Sequence, residues 1–80
     1  MTTGPVCVLT RAGYVKRVGT NAAAARYQAE QDVSRYDPFK EFEWRPDPSS
    51  TERKVFHYKA LKTGRWNKST WALTVTEFSS

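Results

Sequence analysis

The chain has 80 residues, a formal net charge of +5, three Trp, four Tyr and four Phe, and a single cysteine. That length allows one small domain with a thin core, expected to span residues 1–80, and the aromatic rings supply buried area that so short a chain would otherwise lack. One cysteine excludes an internal disulfide, no apolar run is long enough to span a bilayer, and Met1 to Pro5 has neither the charge nor the hydrophobicity of a signal peptide. The expectation is a soluble, cytoplasmic protein.

Charge is unevenly distributed along the chain. Residues 1–27 carry four basic and no acidic groups, residues 28–52 three basic and seven acidic, and residues 53–80 six basic and one acidic. Separation of sign along the sequence predicts a basic region of surface apart from an acidic one.

Val6 to Thr10 is a β-rich run, and Tyr14 to Val18 resumes it after Arg11-Ala12-Gly13. The pattern predicts a hairpin with a three-residue loop, its glycine left-handed and forming a bulge. Neither side of the second run is cleanly apolar, which suits an edge strand. Cys7 lies within the first run, VCVL, and is expected to be a small buried hydrophobe.

The stretch from Thr20 to Asp37, TNAAAARYQAEQDVSRYD, predicts the one helix. Thr20 or Asn21 can cap its first turn, Ala22 to Ala25 have the highest helix propensity, and Pro38 ends it near Tyr36. Ala22, Ala25, Ala29, Val33 and Tyr36 recur at helical spacing as the buried stripe, narrow because its members are small. Tyr27, off the stripe, is expected at the edge of the core.

Beyond Pro38, Phe42 and Trp44 alternate with Glu41, Glu43 and Arg45, the two-residue period of a strand. Glu41 and Glu43 share a side, but no third acid or histidine is placed to help them bind a metal or move a proton. Residues 46–51, PDPSST, read as a loop. Lys54 to Lys62 and Thr70 to Phe78 alternate most regularly and are expected to pair antiparallel around a loop from Thr63 to Ser69. Trp71, Leu73 and Val75 form one side of the last run. Phe56 and Tyr58 are favoured over Val55 and Leu61 as the core side of its partner, for their area. The order β-β-α-β-β-β predicts an α+β domain, an antiparallel sheet of four to five strands with one helix packed across one face.

No Gly-rich phosphate loop, zinc-ligand spacing or nucleophile–base arrangement occurs, so no catalytic residue, metal ligand or cofactor site is assigned. The constellation suited to binding is the final hairpin, where Lys59, Lys62, Arg65 and Lys68 surround Trp66. A tryptophan at a hairpin tip either packs down or meets a partner, and cations beside it attract phosphate or carboxylate. Arg11, Lys16 and Arg17 on the first hairpin extend this candidate region. A small basic nucleic-acid-binding module is one reading, and a protein that occupies an acidic surface of another protein is the second.

The short length, the strand and helix order, the Ala-rich helix in NAAAARYQAEQD and the lack of catalytic residues resemble the small phage-encoded anti-CRISPR inhibitors. The resemblance covers the layout and implies a non-catalytic inhibitor that binds a Cas subunit of a surveillance complex and blocks target DNA. Many such inhibitors are acidic mimics of DNA. This basic chain departs from them, which turns the expectation toward contact with an acidic subunit surface, or with DNA itself.

Overall fold

The structure is a computed structural model that describes residues 3–79, with side chains from residue 5 to residue 76. Met1 and Thr2, at the segment read for a leader, lie outside the described residues. The elements are β1 (Thr3–Arg11), β2 (Tyr14–Gly19), α1 (Ala22–Tyr36), β3 (Phe39–Asp47), β4 (Ser50–Ala60) and β5 (Trp66–Ser79). All strand pairs are antiparallel, and the sheet order is β2-β1-β5-β4-β3. The expected α+β architecture is therefore present, with five strands and β2 at an edge.

Local chemistry accounts for the helix boundaries. Asn21 holds extended backbone and its Oδ1 accepts from the Ala24 amide at 3.0 Å, satisfying one of the donors a helix start leaves unpaired. At the other end the Asp37 amide donates to the Val33 carbonyl, and Pro38 prevents continuation. Ala25, Ala29 and Val33 are the helix's buried residues, facing Cys7 and Leu9 of β1, Phe56, Tyr58 and Ala60 of β4, and Trp71 and Leu73 of β5. Phe56 and Tyr58, with Trp71 and Leu73, are thus the sheet side of the core. Cys7 is buried, as its apolar run implies.

Phe56 is the hub of this layer. It is fully buried, and the rings of Phe39, Phe42, Trp44 and Tyr58 lie with centroids 5.4, 5.8, 5.0 and 5.9 Å from its own. Each such pair contributes about 0.5–1.5 kcal/mol beyond the area it buries. Two polar ties fix the helix against these rings: Trp44 Nε1 donates to Glu30 Oε2 at 3.1 Å, and Tyr58 OH donates to Asp37 Oδ2 at 2.8 Å.

Several local expectations are corrected. Tyr36 is 53% exposed and Tyr27 is 62% exposed, so neither belongs to the core. With Phe56 and Tyr58 already filling the sheet side, a stripe of small residues leaves no room for a ring at the helix end. The first hairpin turns on two residues, Ala12 (φ 52°) and Gly13 (φ 87°), both left-handed as the right-twisted hairpin turn requires, and the bulge falls between Leu9 and Thr10 instead. Residues 46–51 are mostly strand. Asp47 Oδ1 accepts from both the Ser49 amide (2.9 Å) and Ser49 Oγ (2.7 Å), closing a tight turn between β3 and β4. Those two bonds hold the Asp47 carboxyl below its ordinary pKa. The last loop is also shorter than expected, because β5 begins at Trp66 and not at Thr70.

Candidate interaction surface

Alternation along each strand sends one set of side chains under α1 and the other onto a sheet face that no helix covers. Register places Val18 beside Val8, Val8 beside Thr74, Thr10 beside Ala72, and Ala72 beside Val55 on this open face. Val15 and Val18 remain 61% and 62% exposed there. The β2-β1 side of the face, with Ala72 and Thr74 of β5, thus combines valines and alanine with threonines.

The β4-β3 half is charged and largely neutralised within itself. Lys59 Nζ lies 3.4 Å from Glu41 Oε2, Arg53 Nε 3.5 Å from Asp47 Oδ2, and Arg45 Nε 3.6 Å from Glu43 Oε2. Acids of the middle of the chain thus lie against bases of its last third in two of these pairs, and the separation of sign read along the sequence is cancelled where β3 meets β4. Sequence distance hides this pairing, because β3 and β4 fold back on each other across one tight turn.

Trp66 pairs in register with Lys59, and His57 with Lys68, on the same face. The guanidinium of Arg45 stands 5.0 Å from the Trp66 ring centroid, a cation–π contact that leaves the indole 40% exposed. Burial pushes the His57 imidazole pKa down, and the positive charges of Arg45 and Lys68 reinforce the shift. Lys62 and Arg65 sit in the turn between β4 and β5, exposed, with Gly64 left-handed (φ 68°) and its amide bonded to the Ala60 carbonyl. Lys59, Lys62, Arg65, Trp66 and Lys68 are therefore all carried by one hairpin. Arg45, which sequence spacing did not single out, joins them from β3.

The first hairpin contributes less than expected. Arg17 pairs in register with the buried Leu9 and its Nη1 donates to Gln28 Oε1 of the helix at 3.1 Å. Arg11 lies beside the helix too, 3.5 Å from Asp32 Oδ2 and 5.8 Å above the Trp71 ring. Both arginines thus turn to the helix side, away from Trp66. Lys16 is exposed within the irregular stretch of β2.

Among the described residues no group of His, Cys, Asp or Glu is placed to hold a metal ion, and no helix is long and apolar enough to cross a membrane. Comparison with protein-family models, with curated proteins and with solved structures finds no match.

Proposed function

We propose that the chain is a non-catalytic binding protein that docks on an acidic surface of another protein through the β4–β5 hairpin, with Trp66 as anchor and Lys62, Arg65 and Lys68 as its cations. In the form implied by the resemblance to anti-CRISPR inhibitors, that partner is a Cas subunit and docking blocks target DNA. The observation that supports a protein partner is the internal pairing of Lys59, Arg53 and Arg45 with Glu41, Asp47 and Glu43. A phosphate backbone is followed by a run of unpaired cations, and here the acids interrupt it. A compact group of cations around one half-exposed indole suits a protein hot spot instead.

The alternative is a small basic nucleic-acid-binding module, favoured by Trp66 itself, since an exposed indole beside cations stacks on bases. Gel-shift titration with single- and double-stranded DNA at two salt concentrations separates the two readings. Under the protein-partner reading free DNA binds poorly at physiological salt, while purified surveillance complexes or a host-cell pull-down retain the chain. Tight DNA binding, with an affinity that drops by a constant power of salt and loses about 1–3 kcal/mol in Trp66→Ala, establishes the alternative.

A further inference from the structure

On the helix side of the sheet, away from the hairpin tip, the aromatic layer stops short. Upper β4 presents Phe56, Tyr58 and Ala60 to the core, but lower β4 presents Lys54, opposite Leu73 of β5, and below it Glu52. On the helix, Arg26 is the residue that borders this stretch. A cleft of about 370 Å³ results, lined by Trp44, Leu73, Val75, Arg26, Lys54 and Glu52. Its volume lies within the range of small-molecule sites, which combine an apolar lining with a few placed polar groups.

The lining is chemically divided. Leu73 and Val75 form an apolar floor, and the Trp44 indole is held in place as one wall by its bond to Glu30. Arg26 reaches in from the helix and Lys54 from the sheet, and among the described residues neither is in an ion pair. Glu52 is the one acid of the lining among the described residues, against two cations. An apolar floor beneath these two cations is complementary to a flat organic anion, whose ring lies on Leu73 and Val75 beside Trp44 while its carboxylate takes up Arg26 and Lys54. We propose that this cleft is a binding site for small aromatic carboxylates, separate from the hairpin surface and independent of its partner.

The test titrates the full chain with naphthoate and, in parallel, with its neutral isostere naphthalenemethanol, following backbone, methyl and indole NMR signals. Saturable naphthoate binding is expected, with shifts centred on the Trp44 indole and the Leu73 and Val75 methyls, and with the neutral probe about tenfold weaker, one charge-assisted hydrogen bond's worth. Arg26→Gln with Lys54→Gln, both off the buried stripe, is expected to abolish the preference for the anion. Equal affinity for the two probes in the unsubstituted chain overturns the proposal, as do shifts centred elsewhere, an absence of saturation, or a preference that survives the double substitution.

Discussion

Ala29 is fully enclosed between the helix and the sheet, and its methyl group sets how closely the two layers approach. Ala29→Glu is expected to destabilise the domain by several kcal/mol, since it forces a larger side chain into a filled site and strands a charge among apolar neighbours, roughly 1–3 kcal/mol for overpacking alone. A melting temperature equal to that of the unsubstituted chain would show that the face is assigned wrongly. Ionisation of Tyr58 is coupled to stability. Burial first, and the hydrogen bond to Asp37 second, push its pKa from 10.0 up to about 12. The folded chain therefore holds this proton more tightly than the unfolded chain does. Its contribution is complete below pH 10, and stability falls as the pH rises through 12. Tyr58→Phe is expected to cost about 1 kcal/mol at neutral pH through the lost bond to Asp37 and to remove the decline between those two values, measured by urea unfolding across alkaline pH. An identical alkaline decline in the variant would assign it to another group.

At the scale of the elements, the helix depends on its cap as well as on its buried stripe. Asn21→Ala removes the acceptor for the Ala24 amide and is expected to lower stability by about 1 kcal/mol, whereas Asn21→Asp keeps the acceptor and leaves stability nearly unchanged; thermal denaturation of both variants checks the pair. The same local signals made this helix legible from sequence, because a cap, an alanine run and a proline act on their own neighbours. Strand faces were legible where alternation was strict, as in Trp71, Leu73 and Val75. What the sequence did not disclose depends on contacts between distant segments. Tyr36 matches the helical period yet is excluded because Phe56 and Tyr58 already occupy the sheet. β5 begins at Trp66 because the Ala60 amide bonds to the Arg65 carbonyl and Trp66 pairs with Lys59, which no propensity within 66–69 announces. The candidate surface was legible as a set of residues on the β4–β5 hairpin. Its extension to Arg11 and Arg17 failed, because Asp32 and Gln28 draw both side chains to the helix.

Across the whole molecule, charge is balanced where strands β3 and β4 meet and unbalanced at the hairpin end. Reversal of Arg65 and Lys68 to Glu is expected to abolish binding to the proposed acidic partner while leaving the circular dichroism spectrum unchanged, since both side chains are exposed. Full binding by the double variant would make these residues ordinary solvated surface. The molecule measures 49 × 24 × 20 Å, and its long axis reflects a sheet whose strands do not end level. Arg11, the last residue of β1, pairs with Trp71 and the Ala12 amide donates to the Thr70 carbonyl, so Trp66 to Ser69 run roughly 13 Å beyond that point without a partner from the first hairpin. Only β4, with β3 behind it, supports this overhang. Fewer contacts tie it to the buried layer, so substitutions there perturb a locally stable unit and leave the global one almost untouched. The consequence is evolutionary: the hairpin tip can change its surface residues freely, while the helix and the β1–β5 ladder stay as they are and keep the chain above its threshold of stability.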